Sequence, residues 1–194
     1  MARKRGWHFL DEKLRAHSGS EDAWRVGEVR EMDGPVALCE RGYHASARPL
    51  DALNFCFVAQ PRLCRVALSG EIVVGDDKMV ATRRRLLWAL TVKQTERVLH
   101  GFACRVAEDA LNAERKAGRE PDERSWAAIE AKRRWLRGEI SDKELAAAWA
   151  AAGAAAWDAA GAAAWDAAWD AARAAARAKY NRWLDSMIRE ARKV

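Results

Sequence analysis

The stretch Cys39-Glu-Arg-Gly-Tyr-His-Ala-Ser46 sets a thiol, a carboxylate, an imidazole and a hydroxyl within eight residues. Glu71 and Asp76-Asp-Lys78 follow downstream. Side chains alternate along an extended chain, so His44 and Ser46 share one side. A histidine, a hydroxyl and an acid drawn from separate strands can line a ligand cleft. His44, Ser46 and Glu71 are therefore the catalytic candidates. The plainer reading, which the pattern favours, is a turn whose Ser46 caps the following helix while His44 is satisfied by its neighbours.

Two other groupings carry chemistry. His100, Cys104 and Glu108 recur every four residues on one helical line, an edge that a metal would need further ligands to complete. A buried cysteine beside two surface polar groups accounts for them, and no metal site is expected. Basic clusters stand at Arg3-Lys4-Arg5, at Arg83-Arg84-Arg85 and at Lys132-Arg133-Arg134 with Arg137. The formal charge of +6 divides into +4 over residues 1–100 and +2 over 101–194, too evenly to announce nucleic acid. Solvated helix faces explain most of these clusters. Arg83, Arg84 and Arg85 remain candidates for a phosphate or an acidic partner.

The elements that must position these groups fall into two grammars. Over residues 1–80, short apolar runs such as Trp7–Leu10, Val36–Cys39, Leu63–Leu68 and Glu71–Val74 alternate with Gly34-Pro35, Ser69-Gly70 and Gly75-Asp-Asp77. Such runs and breaks predict strands and turns, with a short helix from Pro49 to Phe55. From 81 to 194 the periodicity is helical. Helices are expected at about 83–117, 122–137 and 141–192, the last opened by the Ser141-Asp-Lys-Glu144 capping box. The expected architecture is α+β: a small sheet module with a short helix, packed on a helical hairpin or bundle with one very long helix. A straight helix of that length would span about 75 Å and overhang a compact chain of this size. It must kink, coil with a partner, or form a homo-oligomer.

The long helix carries an unusual tract, with alanine at 22 of the 33 positions from Ala146 to Ala178. Every fourth residue draws a line through Trp149, Gly153, Trp157, Gly161, Trp165 and Trp169. Helical side chains lean toward the N-terminus, so Trp157 is expected over Gly153 and Trp165 over Gly161. Packing is the first reading. A partner surface formed by Trp157, Trp165 and Trp169 is the second. No run approaches the roughly 18 uncharged apolar residues of a membrane span. Cys39, Cys56, Cys64 and Cys104 form no paired motif and are read as reduced, mostly buried thiols of a cytoplasmic protein.

Leu38-Cys-Glu-Arg-Gly-Tyr-His-Ala-Ser46, Pro49-Leu-Asp-Ala52 and Ser69–Lys78 together resemble uncharacterised phage and prophage proteins that carry a CE-x-G-x-H turn and a later G-x-I…DK strand. The resemblance covers about residues 7–88. Residues 128–141 and the Ala/Trp tail are similar to bacterial immunity proteins. Neither family implies a reaction. A fainter resemblance, in the order glycine-turn-histidine strand, helix, strand, is to ADP-ribosyltransferases. It implies NAD as cofactor, His44 as a nicotinamide contact and Glu71 as an acid, while an intervening aromatic of that set is not identified.

These resemblances imply a phage-encoded binding protein in the bacterial cytoplasm that inhibits or modulates a host or defence component by protein–protein contact. It would need no cofactor. The alternative is an NAD-dependent ADP-ribosyltransferase-like enzyme. Nucleic-acid binding through Arg83–Arg85 ranks third.

Overall fold

The computed structural model of the chain describes residues 3–16, 22–159 and 168–193, with the side chains of 154–174 outside that description. The architecture is α+β, and the described chain divides into two compact units. One comprises residues 1–96 and 181–194, and the other residues 97–180.

In the first unit the strands are β1 (Lys4–Leu10), β2 (Val29–Glu31), β3 (Tyr43–Ala45), β4 (Arg62–Val74) and β5 (Met79–Ala89), with helix α1 (Pro49–Leu53) between β3 and β4. All pairings are antiparallel, in the order β1-β4-β5-β2, with β3 also on β5. Just beyond β3, the Ser46 and Trp7 backbones exchange two hydrogen bonds of 2.7 and 2.9 Å. The sheet thereby curls until β3 meets β1. Register then sorts the side chains. Leu10, Cys64, Val66, Leu68, Ala81, Leu86 and Ala45 cluster on the inner face around Trp24. The seam demands glycine at position 6, because a Cβ there would lie 2.7 Å from the Ala45 Cβ.

Three expectations are corrected here. Ser69-Gly70 is not a turn between two strands but a bulge inside the single thirteen-residue β4, where the register to β5 shifts. Gly70 takes φ +82°, and the Thr82 hydroxyl fills the space a Cβ would need while accepting from the Glu71 N–H. Val36–Cys39 forms one bridge and a turn rather than a strand, with Cys39 itself at φ +68°. The helix expected from residue 83 begins only at Val92, as residues 83–89 belong to β5. Arginine and leucine are good helix formers, but here exposed Arg83 and Arg85 alternate with buried Arg84 and Leu86, a two-residue period.

Helix α2 (Val92–Lys116) starts in the first unit and continues into the second, followed by α3 (Glu123–Leu136), α4 (Asp142–Ala159) and α5 (Ala168–Ala191), whose last turns return to the first unit. A single helix over 141–192 is not seen: α4 and α5 are separate described stretches, and residues 160–167 lie outside the described ones. The expected boundary at residue 80 moves to 96, and residues 181–193 join the sheet because they cover it. Leu184 and Ile188 are fully buried, Asn181 Oδ1 accepts from the Leu50 N–H at 3.0 Å, and the Arg192 guanidinium stacks 4.3 Å from the Trp88 ring.

In the second unit the capping box forms as its spacing predicts, with the Ser141 N–H donating to Glu144 at 2.8 Å. Asp122 caps α3 by accepting from the Arg124 N–H. Arg133 joins Glu108 at 2.7 Å, and Asp109 receives both the Lys179 ammonium and the Tyr180 hydroxyl. Trp149, the first tryptophan of the stripe, is exposed. The packing of Trp157, Trp165 and Trp169 against Gly153 and Gly161 falls on side chains outside the described residues.

Candidate functional site

A cleft of about 510 Å³ opens at the seam between β1 and β3. His44 and Ser46, two of the three catalytic candidates, line it. Each is held by backbone. The Cys39 N–H donates to His44 Nε2 at 3.0 Å. Burial lowers the His44 pKa, with help from the Lys78 and Arg84 charges, so the imidazole is neutral at pH 7. Ser46 is 2% exposed, and its own N–H and C=O form the bridge to Trp7.

Glu71 does not join them. It is exposed in the β4 bulge, outside the residues that line the cleft. The histidine, hydroxyl and acid of the sequence expectation are therefore not brought together in the cleft. Pairing explains the separation: His44 lies opposite Val80 and Val80 opposite Val73, so the bulge carries Glu71 further along the sheet.

The cleft contains residues that the motif did not single out. His8 follows Trp7 on β1 and sits opposite Cys64, on the inner face with Gly6 and Leu10. Its Nε2 is buried without a hydrogen-bond partner. Burial first, then the Arg84 and His44 charges, hold its pKa well below the usual histidine value. A buried nitrogen with no partner inside the protein is costly unless something fills the need. On the other wall, the Lys78 ammonium sits 4.1 Å from the Phe55 ring, and Phe57 is 64% exposed at the mouth. The alternation His8, Leu10 against Trp7, Phe9 was a usable signal for His8. Nothing in the sequence placed Phe55 and Phe57 across from it.

The Arg83–Arg85 cluster is split by the pleat. Arg84 turns inward, 4% exposed, donates to the His44 carbonyl at 3.1 Å and lies 4.4 Å from the Trp24 ring. Arg83 and Arg85 turn to the opposite face, where Arg83 is 3.6 Å from Glu31 and Arg85 donates to the Gly27 carbonyl. In the second unit, His100 packs edge-on against Trp135, Cys104 is buried and Glu108 is bonded to Arg133, so the three have separate engagements. No group of three or more potential metal ligands exists among the described residues.

Residues 4–98 match the model of a domain of unknown function, DUF7666. The match runs from the first residue of β1 into α2, so it takes in the whole sheet and the cleft. It stops short of the residues 181–193 that complete that unit. No curated protein matches the chain, and no solved structure does. None of the described helices is long and apolar enough to cross a membrane.

Proposed function

We propose that the chain is a binding protein whose N-terminal module receives a partner's side chain or a small ligand in the β1–β3 cleft. The observation that carries this reading is the unpartnered His8 Nε2, buried in a cleft walled by Phe55, Phe57 and Lys78. It is further supported by the engagement of His44 and Ser46 with backbone and by the distance of Glu71, which leaves no assembled acid–base set. The occupant offers a hydrogen bond to the imidazole and an apolar or aromatic surface to the phenylalanines. Following the phage-protein resemblance, the partner is a bacterial host or defence component and the action is inhibition by occupancy in the cytoplasm.

The test is capture from bacterial lysate with NAD present, compared between wild type, Phe57→Asp and His8→Leu, with mass spectrometry of everything bound and unbound. A stoichiometric partner that both substitutions release supports binding through the cleft. A lysate protein carrying ADP-ribose, formed by wild type and lost in His44→Ala, overturns it in favour of the transferase alternative.

A further inference from the structure

The face of the sheet opposite the cleft carries a second, oppositely built site. Register places Arg5 of β1 opposite Ala67 of β4, and Ala67 opposite Arg85 of β5. One row further, Ser69 lies opposite Arg83, with Arg3 just before β1. The four arginines border a groove of about 500 Å³ floored by Ala67 and Ser69. Two strand spacings separate its walls by about 9.6 Å, and two residues along a strand separate successive arginines by about 6.8 Å.

Four like charges about 7–10 Å apart on one face repel one another modestly, and a counter-charge between them relieves that repulsion. The carboxylate that reaches these four guanidiniums is that of Glu31, on Arg83. Arg3 and Arg5 have no ion-pair partner among the described residues. A fifth guanidinium follows on the same face: Arg65 lies two residues before Ala67 and stacks 4.2 Å over Trp7. Its Nη1 is buried without a partner. The carboxylate whose charge acts on it, that of Asp185, is ion-paired with Arg189.

From this we infer that the groove binds the phosphodiester backbone of a single-stranded nucleic acid, with Arg3 and Arg5 on one side of the strand and Arg83 and Arg85 on the other. Guanidinium forks match phosphate oxygens two at a time, and small floor residues let the strand sit between them. A duplex is too wide to enter. Peptide addition by strand pairing is ruled out, because the floor strand β4 is already paired on both edges. The walls hold no deep apolar pocket for a peptide anchor, and the tryptophans of this face, Trp7 and Trp88, are capped by Arg65 and Arg192. The groove thus reads backbone rather than bases, and binding is independent of sequence. The overall charge of +6 favours approach of a polyanion.

The experiment is fluorescence anisotropy of the full chain with labelled oligothymidylate over a salt series. Four phosphate contacts give a slope of log K against log salt of about −2.8, and Arg5→Ala/Arg85→Ala halves it to about −1.4 with about tenfold weaker binding. Arg97→Ala/Arg182→Ala removes the same charge from exposed positions elsewhere and leaves binding within about twofold. Ala67→Glu supplies the missing counter-charge inside the groove. It is expected to raise the melting temperature while abolishing binding, a pairing of outcomes that a misfolded variant cannot give. The inference is overturned by any of four results: no anisotropy change at low salt, equal loss in the control pair, equal displacement by polyglutamate or tripolyphosphate per unit charge, or tighter binding of duplex. None of these readouts involves the cleft, so failure here leaves the cleft reading standing.

Discussion

Closure of the sheet at the β1–β3 seam makes Gly6 the most informative single position to perturb. Its φ is not positive, so the backbone itself accepts alanine, and a strand gains about 0.5–1 kcal/mol when glycine is replaced. Sterics oppose that gain. The new Cβ would stand 2.7 Å from the Ala45 Cβ, 3.1 Å from the Ser46 carbonyl oxygen and 3.3 Å from Met79 Cε. The methionine can move, whereas the other two are fixed to the bridge that joins the strands. Overpacking of this kind costs about 1–3 kcal/mol, so Gly6→Ala is expected to destabilise by about 1–2 kcal/mol net. For a unit of this size that lowers the melting temperature by about 4–8 °C per kcal/mol.

The cause can be isolated by Ala45→Gly, which removes the clashing methyl. Alone it costs about 1.5 kcal/mol, from a lost buried methyl and a new glycine in a strand. Combined with Gly6→Ala, the two should couple favourably by about 1–2 kcal/mol, leaving the double variant no less stable than Ala45→Gly. The assay is urea unfolding of all four proteins followed by far-UV circular dichroism. Additive losses would refute the reasoning, and a stabilising Gly6→Ala would mean that the seam does not hold the strands this close.

Three further outcomes are expected. His8 and His44 have folded pKa values below 6.5, so the unfolded chain takes up protons first as pH falls. The contribution of the two histidines is then complete above about pH 6.5 and declines below it, by at most about 1.4 kcal/mol per pH unit for each. Urea midpoints at about pH 7 and 5.5 should show this decline and its reduction in His8→Leu, because the lowered carboxylates Asp11, Glu28 and Asp109 act only below about pH 4. Thiol labelling of the native protein should be fast at one cysteine, exposed Cys39, slow at half-buried Cys56, and absent at buried Cys104 and at Cys64, whose thiol burial pushes up to about 12. Fast reaction of three or more thiols would contradict the structure. Asn181→Ala should cost about 1–3 kcal/mol in thermal unfolding, since it leaves the Leu50 N–H of α1 without its acceptor.

Much of the sheet was legible because its residues obey local rules. Trp7–Leu10, the Gly75-Asp-Asp77 turn, Pro49 at the head of α1 and the Ser141–Glu144 box each stand where their types require. Arg83–Leu87 misled because a buried arginine breaks the alternation that identifies a strand; stacking on Trp24 and a hydrogen bond to the His44 carbonyl help make Arg84 tolerable inside. Ser69-Gly70 misled because a bulge and a turn ask for the same residues. Of the cleft, His44 and Ser46 were legible as a motif, but their neighbours come from β1 and from the segment after α1. The Arg5–Ala67–Arg85 row was beyond reach for the same reason: long-range register is not written in composition. The tail's sequence pattern is clear, yet what it touches depends on residues outside those described.

The split of the first unit into residues 1–96 and 181–194 has a consequence for synthesis. At about 5–20 residues per second, the 84 residues from 97 to 180 keep the ribosome occupied for about 4–17 s after the last strand has emerged. Throughout that interval the nascent sheet lacks Leu184 and Ile188, Trp88 is uncapped by Arg192, and α1 has no Asn181. The patch that those residues cover is therefore open to chaperones, to proteases and to other nascent chains. Final locking of the module waits on residues 181–193, so translation that stops before them leaves the sheet without its cover, whatever else of the chain has folded.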